Sequence, residues 1–593
     1  MVKNETYSDQ FCDWLVSEGF THCFFLAGGN IMHLLNAARN RFICVPVVHE
    51  VAACIAVEYF NESSDGGRAF ALVTAGPGIT NSITGIAGAW LENREVLVVG
   101  GQVKSSDLAS GLLRQRGIQE VDGITLTASI TKKSIQISKP ISRKELQQVI
   151  GIGANGKPGP VFIEFCLDAQ AAPQIGTDTI NQETNVKPDV EINQEALDSV
   201  LSRLYSAKRP ILLIGSGISR LTAKNLMPNF EKLGIPLMTT WNAFDRISSD
   251  NSLYWGRPHT WGQRSANVLI QQSDLVIAIG ARLTLAQTGF NWQGFVPKGK
   301  VVQIEVDPSE LSKGHPSIEL GIQANPELFL KEIIEKIQET STISWGEWRS
   351  FGAYVRELLR NNEDANSRNP NFINPYDFVE KLSLELTSED IVVPCSSGGA
   401  FTTMMQAFLQ KSGQKIITNM GLASMGYGLS GAIGAAYANR DSRIILVEGD
   451  GGFAQNLQEL GTVATQDLPI KIFLYENGGY ASIKMTQSNY FGGAYVGCDI
   501  ATGLGMPDWV KLFSAYGIEV TELNPVDIFG ADIKLKLQNR KPQAFIVPID
   551  PEQTYYPKIS SSLLPDGQMQ SNPLHLMTPQ LPEELSSLVL RYV

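Results

Sequence analysis

From Tyr7 to about Leu167 the chain repeats one pattern: a short, nearly continuous apolar run, a break, then a stretch whose apolar positions recur every three or four residues. The runs are HCFFLAG (22–28), ICVPVVHE (43–50), AFALVTAG (69–76), EVLVVGG (95–101) and PVFIEFC (160–166). Apolar runs without polar alternation suit strands buried on both faces, and the helical stretches between them supply the covering layers. After a stretch rich in Pro, Asn, Gln and Thr (168–192) with linker character, the pattern returns in PILLIGSG (210–217), IPLMTTW (235–241), DLVIAIGAR (274–282) and KVVQIEVD (300–307). Beyond a polar, Asn-rich connection (360–373) it appears a third time, in DIVVPCSS (390–397), KIITNMG (415–421), RIILVEGDG (443–451), IKIFLYENGG (470–479) and QAFIVPID (543–550). The expected fold class is α/β, with three doubly wound parallel-sheet domains at 1–170, 193–340 and 371–550 and a tail at 551–593 that packs over a surface.

Length and composition agree with this plan. A chain of 593 residues exceeds what one core usually organises, and 43% hydrophobic with 18% charged residues is ordinary globular composition. A net charge of −12 repels phosphate backbones and anionic lipid, so neither nucleic acid nor membrane is an expected partner. The seven cysteines are scattered without C-x-x-C spacing, which predicts neither a disulfide frame nor a zinc site. With no signal pattern at the N-terminus and no membrane-length apolar run, the expectation is a soluble cytoplasmic protein.

The chemistry concentrates in Gly449-Asp450-Gly451-Gly452 and Asn477-Gly478-Gly479. Each follows a predicted strand, so both reach the carboxyl edge of the sheet, where open α/β sheets bind ligands. A carboxylate and an amide oxygen there are hard ligands suited to Mg²⁺, and the glycines let backbone N–H groups approach a phosphate. In the first domain, Glu50 ends a buried run, where a carboxylate is costly without a partner.

The GDG-x(25)-N arrangement resembles the diphosphate-binding motif of the thiamine-diphosphate enzyme superfamily, and Thr74 to Asn81 (TAGPGITN) resembles the GPG-x-x-N turn that follows its catalytic glutamate. The resemblance covers nearly the whole chain. It implies thiamine diphosphate with Mg²⁺ held by Asp450, the Asn477 side chain and the Gly479 carbonyl. Glu50 would hydrogen-bond the cofactor's pyrimidine and drive its tautomerisation. Contacts to the cofactor are implied for Gly28, Gly29, Thr74, Gly76, Pro77, Asn81, Gly398, Gly449, Gly451 and Gly452, with Met425 propping it in a bent form. Because such enzymes place the glutamate and the diphosphate motif on different subunits, a homodimer is the smallest active unit implied, and a homotetramer is common.

Within that superfamily, Gly101-Gln102-Val103, Gln119-Glu120 and Ser129-Ile130-Thr131-Lys132 are similar to segments of acetohydroxyacid synthase catalytic subunits, which makes Gln119 and Lys132 candidate catalytic residues. Gly215-Ser216-Gly217, Arg282, Glu305 and Asp307 resemble that family's flavin-binding pattern and imply FAD, redox-active or not. Four departures bear on the acceptor. The arginine that grips its carboxylate is Ala286, a phenylalanine is Ile118, a tryptophan is Thr486, and a Gln-His stretch is Gly399-Ala400. All four remove contacts or bulk, so the expected reaction is decarboxylation of a 2-oxoacid donor, pyruvate, and ligation of the two-carbon unit to a carbonyl acceptor. A neutral ketone such as a keto-deoxysugar fits that pocket, as in the sugar-branching carboligases that the pattern resembles. Alternatives are an ordinary acetolactate synthase condensing two pyruvates, a thiamine-dependent lyase or hydrolase acting on an acyl-CoA or diketone, and a non-catalytic binding protein.

Overall fold

A computed structural model describes residues 5–111, 113–176, 192–340, 345–563 and 568–593. Most of the expected linker (177–191) lies outside them. Three parallel sheets follow one another. The first, ordered β2-β1-β3-β4-β6-β5, comprises β1 (Phe20–Phe25), β2 (Ile43–Pro46), β3 (Arg68–Val73), β4 (Leu97–Gln102), β5 (Lys133–Ile137) and β6 (Val161–Cys166). The second, ordered β11-β10-β9-β7-β8, comprises β7 (Pro210–Ile214), β8 (Leu237–Thr239), β9 (Leu275–Ile279), β10 (Lys300–Glu305) and β11 (Leu320–Gln323). The third, ordered β12-β13-β14-β16-β15, comprises β12 (Ile391–Pro394), β13 (Ile444–Gly449), β14 (Ile470–Glu476), β15 (Glu519–Glu522) and β16 (Gln543–Pro548).

Every inner strand comes from an apolar run, and β4, β7 and β9 are buried along their whole length. In the parallel sheets three strands were not expected from the sequence, β5, β11 and β15, and all lie at sheet edges with alternating or mostly exposed positions. KIITNMG is not a regular strand. It forms one bridge, Ile416 to Val392, and then turns away so that Asn419 reaches Glu58 at 3.0 Å and the Met420 N–H reaches Glu92 at 2.6 Å.

The first and third domains share a core. Helix α1 (Glu50–Ser63) crosses α4 (Tyr427–Ala438) with α2 (Pro77–Glu92) packed beside α1, while α3 (Gly398–Ala407) packs on the opposite face of the third sheet. The crossing is close because α4 carries small residues: a Cβ on Gly434 would stand 2.0 Å from the Ala56 carbonyl, and one on Gly431 2.6 Å from the Tyr59 ring. Buried charges tie the domains together. Glu58, paired with Arg94 inside the first domain at 2.7 Å, also accepts from Asn419 of the third at 3.0 Å, and Arg220 bridges Glu62 at 2.9 Å and Asp245 at 2.6 Å, while Asp245 also takes the Ile416 N–H at 2.8 Å.

The tail returns to the middle domain. Ile559 N–H donates to Thr260 O at 2.8 Å, Leu574 and Val589 enter the middle core, and β17 (Ser561–Leu563) pairs with β18 (Met569–Ser571). All seven cysteines are free. Among the described residues no helix is long and apolar enough to cross a membrane.

Candidate active site

The carboxyl edge of the third sheet converges on Asp450. β13 ends at Gly449, and Asp450 opens a single helical turn, 1% exposed. Its Oδ1 accepts the Gly451 N–H at 2.7 Å, and its Oδ2 accepts those of Asn477, Gly478 and Gly479 at 3.1, 2.8 and 3.2 Å. Gly478 (φ 82°) and Gly479 (φ 142°) make that turn possible after β14, since both conformations disfavour a side chain. The Asn477 side-chain oxygen faces Asp450 Oδ1 at 3.2 Å and the Gly479 carbonyl at 3.0 Å. Three oxygens this close repel one another unless the amide turns over to donate or a cation lies among them. Burial pushes the Asp450 carboxyl up to about 6 despite four backbone donors, which a neighbouring divalent cation would reverse. The donor set therefore fits Mg²⁺. Positions Gly449 and Gly398 (φ 83°) open onto free space, leaving room for a phosphate, whereas Gly451 packs against the Tyr480 ring.

At the edge of the first sheet, Glu50 is the first residue of α1, nearly buried, and its Oε2 accepts from Asn81 Nδ2 at 3.0 Å. Gly76 (φ 63°) caps α2 ahead of Pro77, and a Cβ there would strike the Gln119 carbonyl at 2.4 Å. Gln119 itself adopts φ 61°, held by Glu120, whose carboxylate accepts the N–H groups of Arg116 and Gly117 at 2.8 Å each. Thr74 packs on Gly28 and keeps a buried hydroxyl without a partner, while Gly29 faces open space. Glu50, Thr74, Asn81, Gly76, Pro77, Gly28 and Gln119 thus form one cluster. Met425, half-exposed before α4, lies 3.7 Å by its sulfur from Gln455 Nε2. Among the described residues no hydrogen bond joins Glu50 to the Asp450 corner.

Glu459, which the motif reading passed over, belongs to the Glu50 cluster. From the third domain its carboxylate accepts the N–H groups of Val48 and His49 at 3.0 Å and so fixes the turn before Glu50. Its only sequence signal is position, nine residues beyond Asp450 on the same loop-helix segment.

Lys132 stands elsewhere. Its ammonium donates to the carbonyls of Asn155 and Lys157 at 2.6 and 2.8 Å and lines a cleft of about 1250 Å³ against the middle domain. Ser216, Gly217, Arg282 and Glu305 line the same cleft. The glycines at 215 and 217 serve first to let two strand-end loops cross, since Cβ atoms there would stand 2.0 and 2.8 Å from Gly280. Asp307 does not line the cleft. Its carboxylate caps the helix that follows and pairs with Lys157 at 2.8 Å. Asn242 presents a buried, unpartnered oxygen to the cleft beside Arg246 and Arg282, a polar and cationic lining that fits a dinucleotide.

Between the middle and third domains lies a separate cavity of about 310 Å³. Ala286, Thr486 and Gly399 all line it, whereas Ile118 projects from the first domain, 85% exposed. No charged side chain lines it, because burial drops His259 to about 3 and keeps it neutral. The space at Gly399 is filled: a Cβ there would stand 2.3 Å from the Tyr555 ring, which the tail inserts.

Comparison with known proteins places these features in context. The chain matches three family models: thiamine pyrophosphate enzyme, N-terminal TPP binding domain, over residues 5–126; its central domain over 197–333; and its C-terminal TPP binding domain over 397–547. The acetolactate synthase isozyme 2 large subunit of Escherichia coli (strain K12) is 27% identical over 583 residues, covering 95% of this chain and 99% of its own. A probable acetolactate synthase large subunit of Methanococcus aeolicus is 27% identical, covering 92% and 91%. The acetolactate synthase large subunit of Corynebacterium glutamicum is 28% identical, covering 83% and 78%.

Proposed function

Because the chain belongs to the thiamine pyrophosphate enzyme family, we propose that it binds thiamine diphosphate with Mg²⁺, decarboxylates pyruvate and joins the two-carbon unit to a second carbonyl compound. The observation that carries this reading is the convergence of Asp450 Oδ1, the Asn477 side-chain amide and the Gly479 carbonyl at the third sheet's edge, with Glu50 bonded to Asn81 at the first. Asp450, Asn477 and Gly479 hold the metal, and Gly449 and Gly398 admit the diphosphate. The cofactor, when bound, supplies the electron sink for breaking the bond to the carboxyl group. Glu50, shielded from water and oriented by Asn81 and Glu459, exchanges a proton with the pyrimidine nitrogen. The two corners come from different copies of the chain in a dimer, consistent with the exposed Ile118 and Val48 around the Glu50 cluster and the half-exposed Met425 before α4. The middle cleft takes FAD through Ser216, Gly217, Arg282 and Glu305.

The names of the relatives support a second pyruvate as acceptor and acetolactate as product. A neutral ketone such as a keto-deoxysugar is the second reading, favoured by the uncharged lining of the cavity at Ala286, Gly399 and Thr486. Protein loaded with thiamine diphosphate and Mg²⁺ is incubated with pyruvate, with and without neutral ketones, and the products are identified. Acetolactate from pyruvate alone supports the first reading, adducts formed only with added ketone support the second, and no consumption of pyruvate contradicts both.

A further inference from the structure

The 310 Å³ cavity holds polar atoms that the chain itself leaves unanswered. His259 Nε2 and Trp241 Nε1 belong to buried residues that line it and have no hydrogen-bond partner, and the Oη of buried Tyr555, which faces Asn477, makes no close hydrogen bond. An indole N–H only donates. His259 Nδ1 accepts the Trp261 N–H at 3.2 Å, so the neutral ring carries its proton on Nε2 and becomes a second obligate donor. A buried donor left unpaired costs about 1–3 kcal/mol. Three such groups around one cavity mark a place built to receive oxygen atoms.

A charge stands beside them. Lys558 follows Tyr555 by three residues, and its backbone is pinned by paired hydrogen bonds with Thr578 at 3.1 and 2.8 Å. Its ammonium lies 3.4 Å from Met485 Sδ and 5.4 Å from the centre of the Trp261 ring, both cavity walls. Among the described residues no carboxylate comes within ion-pair reach of it. Burial lowers its pKa, as expected for a cation short of an anion. The tail therefore brings to this cavity a phenol that occupies the space at Gly399, and sets against its Met485 and Trp261 wall a cation that position 286 does not supply.

We propose that this cavity is the acceptor subsite and that Tyr555 and Lys558 set its specificity for a carbonyl compound bearing an anionic group, a carboxylate or a phosphate. Lys558 takes the anion, and Tyr555, His259 and Trp241 bond carbonyl or hydroxyl oxygens. The proposal rests on the carboligase reading above. It differs from the neutral-ketone reading in assigning the acceptor a charge.

The test uses holoenzyme with pyruvate as donor and three acceptors: 2-oxobutyrate, a phosphorylated ketose and uncharged butane-2,3-dione. CO₂ and ligated product are measured together, with thermal melting as a check on folding. In Lys558→Gln the ratio of ligated product to CO₂ should fall roughly 10-fold or more with whichever anionic acceptor the wild type uses, and less than about 2-fold with the dione, in line with loss of one charged hydrogen bond. Lys558→Arg should restore most of it. Tyr555→Phe should raise the half-saturating concentration for every acceptor. Loss confined to 2-oxobutyrate assigns a carboxylate, and loss confined to the ketose a phosphate. Unchanged ratios in a folded Lys558→Gln, or equal losses with charged and uncharged acceptors, overturn the proposal. No CO₂ from the wild type would instead defeat the carboligase reading itself.

Discussion

The corner at Asp450 and the cavity at Tyr555 are neighbours built on opposite principles. At Asp450, oxygens converge and the arrangement is made by backbone: four N–H groups orient one carboxylate, and the whole constellation spans residues 449 to 479. Around Tyr555, donors converge and side chains make the arrangement, drawn from three separated stretches of chain: β8's loop, a middle-domain turn and the tail. Converging oxygens call for a cation. Converging donors call for an oxygen-rich ligand. The first part serves a cofactor that is the same whatever the acceptor, whereas the second can be rebuilt for a different acceptor.

That contrast predicts a graded set of losses. Asp450→Ala removes the carboxylate that organises the cation site, and cofactor binding measured by fluorescence titration with thiamine diphosphate and Mg²⁺ should weaken by ~100-fold or more, with turnover lost. Glu50→Gln should keep cofactor binding but lower turnover by ~10²–10⁴-fold, the range for a group whose role is proton transfer. Arg94→Ala leaves the buried Glu58 without its counter-charge, bonded only to Asn419 and Tyr427 of the third domain, and urea unfolding should show a loss of about 3–5 kcal/mol. If the loss is under about 1 kcal/mol, this pair contributes no more than an exposed one.

The smallest effect is a pH slope. His259, normally near 6.5, is held at about 3 by burial, so below pH 6.5 the unfolded chain binds a proton that the folded chain refuses. Stability should fall as pH drops from 6.5, by up to ~1.4 kcal/mol per unit from this group. His22, lowered to about 4, adds to the trend and stays in the variant. Urea unfolding at several pH values should therefore give His259→Gln a shallower acid slope than the parent, while equal slopes would mean that His259 is charged in the fold.

How much of this was legible in the sequence follows the same division. Inner strands such as β4 and β9 were visible because burial on both faces writes an unbroken apolar run, and Asp450 and Asn477 because short backbone turns need particular residues at fixed intervals. Edge strands β5, β11 and β15 were missed because one face meets water and their composition resembles a loop's. KIITNMG looked like a strand because it packs beside one, yet its amides answer Glu58 and Glu92 in another domain. Gly399-Ala400 looked like lost bulk, and only the fold shows Tyr555 arriving from more than a hundred residues away to fill it. Lys132 and Asp307 were named by motif, but their hydrogen bonds hold the loops beside the middle cleft.

The most direct test of the account is release of CO₂ from pyruvate by the purified protein as thiamine diphosphate and Mg²⁺ are added separately and together. The account predicts release that requires both and disappears in Asp450→Ala. Release independent of either, or none with both present, would contradict it.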